Sequence, residues 1–209
     1  MGNIKIGKMV LGAVSTNCYF IYDEDVKKAI VFDPAAGGKD INAKLNANGI
    51  TVSAILLTHG HFDHILGANE LRQAASCKLY ACEEEKELLE NSEMNCSDQI
   101  GRPCVVKANG FYKDGEEATI ENMNFKVIFT PGHTKGSCCY YFEDAGFLIS
   151  GDTLFQNSVG RSDLPTGSES ALLRSIREKL MLLPDEVKVY PGHGDSTTIG
   201  EERRFNPFC

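Results

Sequence analysis

The chain has 209 residues, 42% hydrophobic and 24% charged, with 21 Lys and Arg against 29 Asp and Glu and a formal charge of −8. That is the composition of a soluble globular protein long enough for one substantial core. Its scattered basic residues argue against a partner that is mainly phosphate backbone, nucleic acid included. No apolar run approaches the roughly 20 residues of a membrane span, and no basic stretch followed by an apolar core opens the chain, so a cytoplasmic protein without a membrane partner is expected.

In chain order, residues 3–11, 17–22 and 28–33 are short apolar or β-branched runs separated by turn chemistry, and are expected as strands. A helix is expected over 39–48, where Ile41 and Leu45 stand four apart. Residues 53–58 form a nearly all-apolar run, the pattern of a strand covered on both faces. Further helices are expected over 65–75 and 83–90, the latter acidic in its first turn as the helix dipole favours. Residues 91–110 are the least regular stretch. Strands resume at 118–121, 124–130, 137–142 and 146–150. Leu172, Leu173, Ile176 and Leu180 make one stripe of a helix over 168–182, with Thr166 and Glu169 at capping-box spacing and Pro184 as its stop. A last strand, 187–190, precedes Pro191-Gly192-His193. The pattern is α+β in one domain spanning 1–209, with two similar halves that could pack as a four-layer αββα sandwich. The eight cysteines (18, 77, 82, 96, 104, 138, 139 and 209) contain no Cys-x-x-Cys and are expected as free thiols.

The chemistry concentrates at strand ends. Thr58-His59-Gly60-His61-Phe62-Asp63-His64 places four ligand-capable side chains directly after a buried strand. Imidazole and carboxylate are natural ligands of zinc and similar first-row cations. The protein has five histidines in all, and the other two, His133 in Thr-Pro-Gly-His-Thr and His193 in Tyr-Pro-Gly-His-Gly, also follow apolar strands. Asp152, in Ser-Gly-Asp-Thr, ends another strand and is the best-placed carboxylate to bridge two cations.

This ordered set resembles the metallo-β-lactamase superfamily across nearly the whole chain. Gly136-Ser137, the Gly-Asp-Thr-Leu-Phe run, Gly160-Arg161-Ser162-Asp163-Leu164-Pro165 and the ending Thr-Ile-Gly-Glu-Glu-Arg-Arg-Phe-Asn-Pro-Phe resemble its short glyoxalase II-like branch, the hydroxyacylglutathione hydrolases. The resemblance implies the αββα sandwich, with His59, His61 and His133 on a first metal, Asp63, His64 and His193 on a second, and Asp152 bridging. It places Arg161 near a basic substrate contact. The helical C-terminal domain that binds glutathione in longer members is not expected, because the sequence has only 16 residues after His193.

Two divalent cations, zinc first with iron or manganese as alternatives, would lower the pKa of a shared water and supply a metal-bound hydroxide. The expected reaction is hydrolysis of a small-molecule thioester, with Asp63 and Asp152 as catalytic carboxylates. A competing expectation is a persulfide dioxygenase with one iron on His59, His133 and Asp152. A purely structural metal is disfavoured, because such sites are usually closed and rich in cysteine.

Overall fold

In a computed structural model, which describes residues 3–209, the N-terminal runs form an antiparallel meander. Strand β1 (Ile4–Leu11) pairs with β2 (Thr16–Asp23), and β2 with β3 (Lys28–Phe32). Helix α1 (Gly38–Ala47) then carries the chain over the outer face to β4 (Thr51–Leu56), which lies parallel to β3. The helix expected over 65–75 is two pieces, α2 (Phe62–Ile65) and α3 (Ala68–Ala75). The break falls at Gly67, whose N–H leaves the helical ladder for Pro34 O at 2.8 Å. Two parallel strands, β5 (Lys78–Cys82) and β6 (Gly110–Tyr112), complete a six-stranded sheet. Between them, residues 83–90 begin with a 3₁₀ turn, Glu83–Glu85, and continue as α4 (Lys86–Leu89).

The second half repeats the plan. Strands β7 (Glu117–Ile120), β8 (Met123–Phe129), β9 (Cys138–Phe142) and β10 (Phe147–Gly151) run antiparallel. A small hairpin, β11 (Leu154–Phe155) with β12 (Ser158–Val159), leads to α5 (Glu169–Glu178). Then β13 (Lys188–Pro191) joins β10 in parallel, and β14 (Thr197–Thr198) pairs beside it before α6 (Ile199–Phe205). The order of this sheet is β14-β13-β10-β9-β8-β7. The helix expected over 168–182 divides at Lys179 into α5 and a 3₁₀ turn, Leu180–Leu182. Its cap also differs from the expectation. Ser168 accepts from Ala171 N, whereas the Thr166 hydroxyl faces away and accepts from Lys135 N at 3.0 Å.

Side-chain alternation along the strands sorts the apolar residues into three layers. Ile30 and Phe32 of β3, Tyr140 and Phe142 of β9 and Ile149 of β10 fill the space between the sheets. Val31, Ile55 and Leu79 face the other way, against Ile41, Leu45 and Leu71 of α1 and α3. On the far side Cys139, Leu148 and Val189 meet Leu172 and Ile176 of α5. The result is the four-layer αββα sandwich of an α+β protein. All eight cysteines are free thiols, and among the described residues no helix is long and apolar enough to cross a membrane.

Phe32 is fully buried between the sheets, its ring 5.4 Å from Tyr140 and 6.1 Å from Phe142. Phe32→Ala is expected to cost about 3–5 kcal/mol of unfolding free energy through the cavity it leaves. Leu182→Ala, at a side chain 76% exposed, should fall within about 0.5 kcal/mol of the parent. Equilibrium urea unfolding of both variants checks the difference.

Candidate metal centre

Strands β3, β4, β8, β10 and β13 all point their C-terminal ends to one end of the sandwich. Parallel pairing does this for β3 with β4 and for β10 with β13. Two successive antiparallel steps, β8 to β9 to β10, return β8 to the same direction. The turns after these strands therefore meet, and open α/β sheets place ligands at such strand ends for the same reason. All seven candidate ligands lie on these turns or on α2, which follows directly.

His59, His61 and His133 form one trio, each 3% exposed or less. His133 Nε2 lies 3.2 Å from His59 Nε2 and 2.9 Å from His61 Nδ1, with the rings packed edge to face. Asp63, His64 and His193 form the second trio. There His64 Nε2 is 3.4 Å from His193 Nε2 and 3.5 Å from Asp63 Oδ2, and His193 Nε2 is 3.1 Å from Asp63 Oδ2. Asp152 stands between the trios. Its Oδ2 is 3.7 Å from His133 Nε2 and 3.5 Å from His193 Nε2, and its Oδ1 is 3.4 Å from His64 Nε2.

These separations fit cations. Donor atoms on a tetrahedral ion at about 2.0–2.1 Å lie about 3.3–3.4 Å apart, close to the spacing within both trios. Asp152 Oδ1 and His61 Nε2 are buried without a hydrogen-bond partner, and a bound cation beside Asp152 would offset the cost of its orphaned oxygen. The first trio is closed to solvent. The second is open, with side-chain exposures of 28% at His193 and 14% at Asp63.

Several residues that the sequence did not mark as functional orient these ligands. Asp33 is buried at the end of β3, where its Oδ1 accepts from Thr58 N at 2.8 Å and its Oδ2 from Thr58 Oγ1 at 2.7 Å. Its Oδ2 also meets His64 Nδ1 at 3.0 Å. Because the Thr58 hydroxyl donates to Asp33, it can only accept from His59 Nδ1, which is 3.1 Å away. His133 Nδ1 donates to Arg161 O at 2.7 Å. The outward nitrogens thus carry protons, and Nε2 of His59, His64 and His133 points into the site. Thr16 Oγ1 donates to Asp63 Oδ2 at 3.2 Å. The irregular stretch after α4 contributes Asn95, whose carbonyl accepts from Phe62 N at the start of α2. Arg161 lies at the rim with its side chain 61% exposed, and its guanidinium makes two bonds, of 2.7 and 2.8 Å, to Asp163.

A family profile described as the metallo-beta-lactamase superfamily matches residues 11–193. The chain belongs to this superfamily. Among its relatives, a probable metallo-hydrolase of Bacillus subtilis, YqgX, is 39% identical over 98% of this chain and 97% of its own. The hydroxyacylglutathione hydrolase GloC of Haemophilus influenzae is 33% identical over 94% and 93%. Among solved structures, the BLEG-1 B3 metallo-beta-lactamase superposes with a TM-score of 0.93 at 40% identity, covering 98% of this chain and 99% of that one. A di-iron-bound form of TTHA1623 superposes with a TM-score of 0.84 at 32% identity, covering 97% and 100%. The protein is thus a metal-dependent hydrolase of the metallo-beta-lactamase superfamily, and its His/Asp clusters indicate divalent metals.

The two trios differ in protonation. Burial, reinforced by neighbouring imidazoles, lowers the pKa of His59 well below the ordinary range and that of His61 to about 3. Burial also lowers His133, although Asp152 opposes it. In the second trio burial acts the same way but loses. The carboxylates of Asp63, Asp152 and Asp33 hold His64 well above the ordinary range, and the bond to Asp63 raises His193. Without metal, the first trio is neutral and ready to bind, whereas the second holds protons that a cation must displace. Below pH 8 a cation at the second trio must compete with these protons. Affinity at the second trio should therefore drop from pH 8 to pH 6 by about tenfold per pH unit for each proton displaced, with the first trio little changed. Zinc titration against a chromophoric chelator at both pH values measures this, and equal weakening of the two sites would contradict it.

Proposed function

We propose that the protein hydrolyses small thioesters at a dinuclear centre, zinc in the first instance. His59, His61 and His133 would hold one cation, Asp63, His64 and His193 the other, and Asp152 would reach both. The observation that carries this is the position of Asp152. One carboxylate oxygen faces a histidine of each trio, and the other is buried without a hydrogen-bond partner. Likeness to a hydroxyacylglutathione hydrolase over nearly the whole chain supports a thioester as substrate. When bound, the cations would acidify a water and polarise the acyl carbonyl.

The chain's own residues divide the remaining work. Asp63 is tied to Thr16 and His193 at the open side of the site, where it can orient an incoming nucleophilic water. Burial works against its charge, but the imidazoles of His64 and His193 more than offset this and keep it ionised. The reaction requires no cysteine nucleophile. Burial pushes the thiols of Cys138 and Cys139 up, the latter to about 11, so neither is a thiolate at neutral pH. The departing thiolate needs little protonation, since ordinary thiols have a pKa of about 8.5. A single iron on His59, His133 and Asp152 would leave Asp63, His64 and His193 without a task, although they are grouped as closely as the first trio.

Purified protein should contain two metal ions per chain, and chelation should abolish thiol release from S-lactoylglutathione and simple thioesters. One iron per chain, with oxygen uptake on glutathione persulfide and no thioester turnover, would replace the hydrolase with the oxygenase.

Asp152→Ala would remove a ligand that both cations are proposed to share. It should lower thioesterase turnover by more than the roughly 10–100-fold typical of losing an outer-sphere partner. Asp63→Ala should leave one bound metal and weak residual activity. Metal stoichiometry and rates for both variants, with circular dichroism to confirm folding, decide this. An Asp152→Ala protein that is folded, binds two metals and turns over normally would rule out the shared position.

A further inference from the structure

The first trio is assembled from two turns far apart in sequence, with His59 and His61 on one and His133 on the other. Beneath both lies the 3₁₀ turn Glu83–Glu85 with α4. Glu83 and Glu84 reach outward to Lys113 and Lys135 at the surface. Glu85 turns inward and is 1% exposed. Its Oε1 accepts from Gly60 N at 2.8 Å, between the two histidines of the first turn. Its Oε2 accepts from Gly136 N at 2.8 Å and from Thr134 Oγ1 at 2.9 Å, just after His133. Both backbone partners are glycines for a steric reason. A Cβ at Gly60 would lie 2.7 Å from Leu88 Cδ2, and one at Gly136 would lie 2.2 Å from Glu85 N. At Gly136 the clash is with backbone, so only a residue without Cβ comes this close, whereas at Gly60 the packed ends of Leu88 and Leu89 would have to shift.

We propose that Glu85 is a positioning residue for the first metal site: its buried carboxylate ties the His59–His61 turn to the turn after His133 and so sets the spacing of the three imidazoles. This rests on the dinuclear centre proposed above, but not on its substrate. A buried carboxylate is tolerated only when hydrogen-bonded, and here every partner is a donor. A glutamine at this position would turn its NH₂ toward at least one N–H that it cannot satisfy. Glu85 makes no hydrogen bond to Asp63, His64 or His193, so its direct contacts lie on the turns of the first site.

The test isolates the sites. His193→Ala leaves the first trio intact, and His61→Ala leaves the second. Glu85→Gln is added to each background, and the metal-free proteins are titrated with zinc against a chelating indicator, with thermal melting recorded in parallel. Glu85→Gln is expected to weaken zinc binding about 10–100-fold in the His193→Ala background, the range for losing an outer-sphere partner, and to leave it unchanged in the His61→Ala background. Thr134→Val, which removes one of the three donors and perturbs the fold less, should weaken the first site in the same direction by a smaller factor. Glu84→Gln, at the exposed neighbour, should change neither. Equal weakening in both backgrounds, or a lowered melting temperature with unchanged zinc affinity, would make Glu85 merely structural and overturn the proposal. Failure of the dinuclear centre itself would show differently, as a wild-type chain that takes up no zinc.

Discussion

The carboxylate of Asp33 ties the end of β3 to the turn after β4, and the rest of the site depends on that tie. It accepts two bonds from Thr58 and meets His64 Nδ1. Through the Thr58 hydroxyl it also decides which nitrogen of His59 carries a proton. One buried acid thus orients a histidine of each trio. It can do so only because β3 and β4 run parallel as neighbours, which sets their C-terminal ends side by side. Asp33 itself has a positive φ of 48°, a conformation that asparagine and aspartate tolerate better than most residues.

The same logic of buried acids recurs around the site. Glu85 joins the two turns of the first trio, and Glu202 of α6 accepts from Thr197, Asn157 and Asn206, anchoring the β11–β12 hairpin near His193. Phe155 of that hairpin lies 6.2 Å from the His193 ring. Each acid accepts several bonds, which offsets the cost of burying its charge. The ligand turns are therefore held by polar contacts, and the apolar layers beneath hold the sheets.

The two trios are unequal by design of the sandwich. His59, His61 and His133 sit where the sheets close and water is excluded, so they stay neutral. Asp63 and His193 lie nearer the rim, whereas His64 is as buried as the first trio and is held charged by the carboxylates of Asp63, Asp152 and Asp33. Arg161 contributes its backbone carbonyl to His133 while its side chain is bonded to Asp163. An anionic substrate group would have to compete with that carboxylate for the guanidinium.

The sequence alone determined the seven side chains now found together, because their chemistry lies in residue type and their position follows a strand end: Thr58–His64, His133, Asp152 and His193 each close an apolar run. The order of strands and helices in two similar halves was also legible, since short apolar runs and the Leu172–Leu180 stripe are local signals, whereas the αββα sandwich followed from the family resemblance. The short strands β5, β6 and β14 and the hairpin β11–β12 were not legible, because two or three residues carry no period and β5 borders an acidic turn. Helix α6 gave too brief a pattern to distinguish. The cap at Ser168 was misplaced to Thr166, whose spacing imitates a capping box while its hydroxyl serves a distant backbone N–H. Asp33, Glu85 and Thr16 could not be singled out at all. Each bonds across a separation of 25 to 51 residues, and a carboxylate becomes a buried anchor or a solvated surface group only through what the tertiary fold packs against it.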